Sequence, residues 1–294
     1  MVRRAAFALA LVLALPGAAH AQSYAEPEVR AAAGAAGFGL VADRIAASAR
    51  PTVLVLRKLL RRAPRELGTS RLGGNPDLPL GTPWPHCRGK RQSFLGQLRL
   101  SDLPPEAAEL GVHGGVLLVF MEVRFEHPSF TGWGLWGGRC TTVIHAPAGT
   151  PLARVRPPRR AAILRLRPAQ LRYAERPDIP DVAMDYQSPA APLSDVLLVD
   201  SEVDHWWDLR DSLHRRKGLL SHRLLGYVDT PNGGGNCWRR TERTADAWRH
   251  LITIGLDFGV RFEVADGGRL QVEISPADLA AGRFDRVCGI FDSS

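Results

Sequence analysis

The sequence is short of the residues that mark several common chemistries. Only three of its 38 cationic side chains are lysines (Lys58, Lys90 and Lys217), so the net charge of +8 is an arginine excess spread along the chain. There are just 4 tyrosines, and no RNA- or DNA-reading motif accompanies the arginines, so nucleic acid is not an expected partner. The N-terminal apolar run, Ala5 to Leu15, has 11 residues, where a spanning helix needs about 20, so no transmembrane anchor is expected. No Cys-x-x-Cys, H-E-x-x-H, G-x-S-x-G, Walker A or calcium-loop pattern occurs, which leaves the usual metalloenzyme, hydrolase and nucleotide signatures unfilled. Neither a cofactor nor a metal is expected. What remains is a chain of 294 residues, 45% hydrophobic and 23% charged. That composition excludes a disordered or collagen-like protein and suits a folded one with a large core.

The first 21 residues have the parts of a secretory signal in order. Arg3 and Arg4 precede the apolar run, Pro16 and Gly17 break it, and Ala19-His20-Ala21 places small residues where a signal peptidase reads them. No cysteine follows at Gln22, which disfavours a lipoprotein, and the general secretory route fits better than twin-arginine export. The expected mature chain has 273 residues and a net charge of +6, with a periplasmic or secreted location. In an oxidising compartment Cys87, Cys140, Cys237 and Cys288 are disulfide candidates. Two bridges are expected, the three possible pairings stay open, and zinc ranks behind because the ligand spacing is poor.

Residues 22–50 read as a helical segment, alanine-rich from Glu26 to Ala49. Residues 51–294 read as one β-rich domain. Thr52–Leu56 is a strand, and the basic patch Arg57 to Arg65 suits a solvated edge. Ser70 to Pro85 is an ordered loop of turns, since four prolines and three glycines leave few backbone options. Strands are expected at 93–100, 116–125 and 161–167, the last within a stretch holding seven arginines between Arg154 and Tyr173. Pro104 to Leu110 reads as a short helix. A capped helix starts at Ser201, strands follow at 250–257, 259–264, 269–274 and 286–291, and another capped helix starts at Ser275. Strands without βαβ alternation predict a mainly β fold, largely antiparallel and roll-like, with peripheral helices.

Two stretches echo each other. Arg71-Leu72, Asp77 and Trp84 are matched by Arg223-Leu224, Asp229 and Trp238. Leu95-Gly96-Gln97-Leu98 corresponds to Thr253-Ile254-Gly255-Leu256, and Gly114-Gly115-Val116 to Gly267-Gly268-Arg269. Short motifs also echo by chance, but the shared order of elements makes an internal duplication the expectation, with pseudo-repeats at about 51–150 and 200–291. The segments S-R-L-G-G-N-P-D-L-P-x-G-T-P-W-P and S-F-L-G-Q-L-x-L also resemble the signature of the YwqG-like family, bacterial proteins without an established reaction. The tail, with D-G-G-R-L and D-L-A-A-G-R-F-D-R-V, is similar to that family's C-terminal motif. The resemblance runs from about Ala46 to Phe291 and implies a single mainly β domain with flanking helices, but no reaction. Gly255 stands where relatives usually carry a glutamine, and Thr230-Pro231-Asn232 replaces a second one.

Candidate ligand-binding residues are Arg71, Asp77, Trp84, Gln97, Trp133, Trp136 and Trp238, edging a cleft between the repeats. Arg71 is able to grip an anion bidentately. Equally it can bond Asp77 and loop carbonyls to hold a loop that has no ladder of its own, and this structural role is preferred. Trp133 and Trp136 sit in a glycine-rich stretch, where they either stack on a ligand or fold inward over the sheet. The G-x-G-x-x-G match at Gly132–Gly137 and its alanine variant at Gly37–Ala42 lack the strand and helix context of a nucleotide site. Asp204, His205 and Asp208, with His222 further on, form the alternative acid–base set of a hydrolase-type enzyme. An ordinary solvated helix has the same appearance. The reading is a non-enzymatic periplasmic binding module for a protein or cell-envelope ligand. Accordingly, N-terminal sequencing of protein recovered from the envelope fraction should begin at Gln22, and an N-terminus at Met1 or Val2 would exclude cleavage.

Overall fold

The fold comes from a computed structural model that describes residues 19–125, 135–158, 163–182, 193, 195, 196, 198, 200–215, 222–229, 237, 248–263 and 268–292. Elements run in the order α1 (Ala19–Ala35), α2 (Ala42–Ser48), β1 (Arg50–Leu59), β2 (Arg71–Leu72), β3 (Asp77–Pro79), β4 (His86–Cys87), β5 (Lys90–Arg91) and β6 (Ser93–Arg99). Then come β7 (Val116–Phe125), β8 (Leu135–Ala146), β9 (Leu152–Arg154), β10 (Ala169–Asp178), α3 (Asp200–His214) and β11 (His222–Leu225). Last are β12 (Arg249–Ile254), β13 (Arg269–Ile274), α4 (Pro276–Ala280) and β14 (Val287–Asp292). Most of the expected signal peptide lies outside the described residues, and α1 runs through the expected cut between Ala21 and Gln22. Among the described residues no helix is long and apolar enough to cross a membrane.

Ten strands form one antiparallel sheet in the order β14-β13-β12-β11-β1-β10-β2-β6-β7-β8. The fold is therefore mainly β, as expected. The sheet rolls until its two edge strands meet. A Cβ added to Gly289 on β14 would stand 1.7 Å from Thr141 Oγ1 on β8, so only glycine lets the edges approach. Alternation along each strand sorts side chains between two faces. Along β7, Leu117, Val119 and Met121 enter the main core, while Leu118 and Phe120 enter a second cluster with Trp84 and Phe94. The main core is closed by Leu110 of the 3-10 helix Pro105–Leu110 and by Leu279 of α4. A third cluster joins α1, α2 and α3 around Trp206, whose indole NH donates to the Pro180 carbonyl.

The strand order is symmetric about its centre. The run β2-β6-β7-β8 on one side is matched by β11-β12-β13-β14 on the other. Between them lie β1 and β10, each paired with the second strand of the opposite half: β1 with β11, and β10 with β2. Within each half the register is equivalent, with Arg71 opposite Gln97 and Arg223 opposite Thr253. The counterpart of Gln97 is therefore Thr253, two residues from the expected Gly255.

Three other expectations need correction. The described part of 161–167 is not a strand. Residues 163–168 form a loop, tied down by Gly74 N donating to the Leu166 carbonyl and Arg167 N to the Val260 carbonyl. Residues 257–262 form a tight turn closed by mutual Asp257 and Phe262 backbone bonds, not the start of a strand at 259. Nor is β1 an edge strand. It has β10 along its full length and β11 over Thr52–Val55, so the charges from Arg57 onward stand where only one neighbour remains.

Each half carries its own disulfide, Cys87–Cys140 in the first and Cys237–Cys288 in the second. The bridges close stretches of 53 and 51 residues, tying the segment near the repeat's tryptophan to its last strand. Chain entropy alone assigns each about 4 kcal/mol. A non-reducing peptide map should return these two pairs and neither crossed pair, and C237A/C288A should lower the unfolding free energy by about 2–4 kcal/mol in urea titration.

Candidate functional site

Both halves are built around a buried aspartate. In the first, Asp77 opens β3, where the proline-rich loop crosses the outer face of the sheet. Its carboxylate accepts from Arg71 Nη1 at 2.8 Å, Arg154 Nε at 2.7 Å and the Gly68 amide at 2.8 Å. Gln97 completes the knot. Its Oε1 accepts from the Asp77 amide at 3.0 Å, and its Nε2 donates to Asp77 Oδ2 at 2.9 Å and to the Thr69 carbonyl at 3.0 Å. Arg71 also donates to the Thr69 and Asn75 carbonyls. Arg71, Asp77 and Gln97 are all fully buried. Burial alone would raise the Asp77 pKa, but the hydrogen bonds from Arg154 and Arg71 prevail and hold it at about 2. The loop follows this knot closely. Gly73 has φ +62°, and a Cβ there would lie 2.4 Å from the Arg167 carbonyl oxygen.

The second half repeats the arrangement at Asp229. Arg223 donates to the Tyr227 carbonyl at 2.5 Å and pairs with Asp229 at 2.8 Å, at the same sequence offsets as Arg71 with Asn75 and Asp77. Two further arginines meet this carboxylate, Arg210 of α3 at 2.9 Å and Arg269 of β13 at 2.8 Å. The role of Gln97 falls to Gln271, which accepts from the Asp229 amide at 2.7 Å. Gln271 lies on β13 opposite Thr253, one strand further along than Gln97. Burial works against the Asp229 charge, but Arg223, Arg210 and Arg269 overcome it and hold the pKa well below the carboxylate range. Arg210 also meets Asp181 at 3.3 Å and Asp178 at 3.5 Å. Asp178 in turn bonds His214 at 3.0 Å and the Tyr227 amide at 2.7 Å. The buried face of α3 is thus an ionic clamp on the sheet.

Asp204, His205 and Asp208 lie on the opposite, exposed face of α3. His222 is on β11 and does not join them. Its ring is 3% exposed, with Nδ1 accepting from the Gly255 amide at 3.2 Å and Nε2 facing Asp257 Oδ2 at 3.0 Å. This assigns the hydrogen to Nε2. Arg57 grips the same carboxylate at 2.5 and 2.6 Å. Trp84 is buried, its NH donating to the Gln92 carbonyl at 2.9 Å and its ring set edge-on to Phe120. Trp133 and Trp238 lie outside the described residues, as does the side chain of Trp136, whose backbone belongs to β8.

Of the ligand candidates with described side chains, none therefore edges an open cleft between the repeats. The open space lies elsewhere. A groove of about 530 Å³ runs between β10 and the 99–104 segment, lined by Thr69, Arg99, Asp102, Gln170, Arg172 and Tyr173. It sits where β10 of one half pairs with β2 of the other. The Tyr173 hydroxyl is buried beside Ser70, while Arg99 is held by Glu66 at 2.5 Å. A second groove, of about 460 Å³, is lined by Arg44, Ser48, Arg50 and Tyr227, with the Arg50 guanidinium 4.6 Å over the Tyr227 ring. Cys87, Glu122 and Cys140 lie close enough together to share a metal ion, but both sulfurs are committed to the disulfide.

Sequence reasoning missed Arg154, Arg210, Asp178, Arg269 and Gln271. Asp229 and Arg269 already stood in the repeat correspondence. Arg210 and Asp178 left no signal, because their partners are 19 and 36 residues away. The pattern matches a known family over most of the chain. The protein belongs to the family described as a domain of unknown function (DUF1963), whose profile matches residues 70–292. Comparison with curated proteins yields no match.

Neutralising the second centre strands three buried guanidinium groups. D229N should therefore lower the unfolding free energy by about 3–5 kcal/mol, against within about 0.5 kcal/mol for the exposed D204N, both read by urea titration. Glu273 supplies a pH test. Burial raises its pKa to about 7 even though it accepts from the Cys237 amide. The native state therefore keeps this proton where the unfolded chain releases it, so stability falls as pH rises from about 4.5 to about 7. E273Q should lack this loss and gain on the order of 2 kcal/mol over the parent at pH 8 relative to pH 4.5.

Proposed function

We propose that this chain is an exported YwqG-like binding module, with its ligand site in the groove between β10 and the 99–104 segment. The observation that carries the reading is the contrast between that groove and the acid–base candidates. The groove offers the exposed Gln170 amide and the exposed Arg172 guanidinium at the seam where β10 meets β2. The hydrolase candidates are dispersed, with Asp204, His205 and Asp208 in solvent on α3 and His222 sealed against Asp257. A ligand of matching chemistry carries an anionic group for Arg172 and a hydrogen-bonding group for the Gln170 amide. Export is supported by the order of the leader residues and by the pairing of all four cysteines.

The test is native mass spectrometry of protein released from the envelope by osmotic shock. A retained small-molecule or peptide adduct is expected on the parent and should be lost in R172E with the circular dichroism spectrum unchanged. Turnover of ester, peptide, phosphoester or glycoside probes that is abolished in a folded H222Q variant would replace this reading with the enzymatic one.

A further inference from the structure

Two basic stretches about 100 residues apart in sequence come together at one end of the sheet. Lys58, Arg61 and Arg62 continue from the outer end of β1, Arg165 and Arg167 lie in the loop before β10, and Arg261 closes the turn after β12. Backbone bonds make these segments neighbours. Leu60 N donates to the Pro168 carbonyl at 2.9 Å and Arg167 N to the Val260 carbonyl at 2.9 Å, while Leu59 faces Ala169 in the ladder. All six cations are exposed, and none forms an ion pair among the described residues. The carboxylates on these segments do little to offset them. Glu66 is held by Arg99, Asp257 by Arg57 and His222, and Glu263 is a single half-buried group at the end of the turn.

Large apolar side chains break the surface within the same rim. Phe258 is 66% exposed and Leu59 36% exposed. Phe258 is held out on a rigid support. The turn is closed by the two Asp257–Phe262 backbone bonds, the Asp257 carboxylate accepts from the Gly259 and Val260 amides, and Arg57 ties that carboxylate to β1. A single exposed apolar residue needs no explanation. A fixed phenylalanine and a leucine among six unpaired cations are a different matter, because that combination suits a charged interface with an apolar interior beneath it.

We infer that this rim docks the protein onto an anionic phospholipid surface, with Phe258 and Leu59 entering the headgroup layer and the arginines and Lys58 contacting lipid phosphates. The inference rests on the exported reading, since it places the chain beside a membrane, but it uses none of the groove residues. The cations supply attraction spread over three segments, which suits a planar array of phosphates. Nucleic acid is the poorer match because the rim presents one aromatic ring and no row of stacking platforms.

The test measures partition of the purified protein, expressed from the full sequence, between buffer and vesicles in sedimentation assays. Vesicles of phosphatidylcholine with one quarter phosphatidylglycerol should bind it and pure phosphatidylcholine vesicles should not. The R61Q/R62Q/R165Q variant should partition on the order of a hundredfold more weakly, and F258A several-fold more weakly, both with unchanged thermal unfolding. Equal binding to neutral vesicles, equal partition of the variants, or tighter binding to a DNA duplex or to polyglutamate than to the anionic vesicles would overturn the inference. Absence of any adduct from the parent protein, or an adduct that R172E retains, with vesicle binding intact would refute the groove reading alone.

Discussion

Each half of this molecule depends on one buried carboxylate that gathers arginines. A lone carboxylate inside a protein is costly, and so is a lone guanidinium, so neither Asp77 nor Arg71 is tolerable without the other. Once they meet, the remaining lone pairs and N–H groups must find partners, and the loop carbonyls and the Gln97 amide supply them. That requirement turns a proline- and glycine-rich stretch with almost no ladder of its own into a fixed structure. The same logic at Asp229 recruits an arginine from a helix and another from a strand, so that packing α3 on the sheet and ordering the second loop become one event. Because removing either partner leaves a buried charge, these knots fix geometry more than they add stability.

Much of the architecture was legible in the residues. Alternating apolar runs marked β6, β7 and β13, the Ser275 cap marked α4, and the paired Arg–Asp spacing marked the two buried aspartate centres. The preference for a structural Arg71 agrees with its geometry. What stayed hidden was whatever depends on lateral neighbours. Residues 163–168 look like a strand because their composition suits one, yet the space beside them is filled by the 73–74 and 260 loops. The glutamine that bonds the second aspartate stands on β13, one strand beyond Thr253, the position on β12 that matches Gln97. A side chain that reaches its target from an adjacent strand leaves no trace in spacing.

The site reading changed for a related reason. The polar residues that stand out in the sequence, Arg71, Asp77 and Gln97, are used up in holding the loop, and His222 is used up in holding the 257–262 turn. The groups left exposed are less conspicuous: Gln170 and Arg172 on the strand at the seam, and arginines that composition alone counts as background. A charge excess of +8 gains meaning only when the fold shows which cations are spent internally and which remain on one rim.

The crossed pairing of β1 and β10 has a consequence for the unit of folding. β10 stands between β1 and β2, and β1 stands between β10 and β11, so neither side of the sheet is continuous without a strand from the other half of the chain. A chain ending after β8 would leave the β10 position between β1 and β2 vacant, open to a strand from another molecule. The link between β8 and β10 converts what would be a concentration-dependent assembly into an intramolecular one.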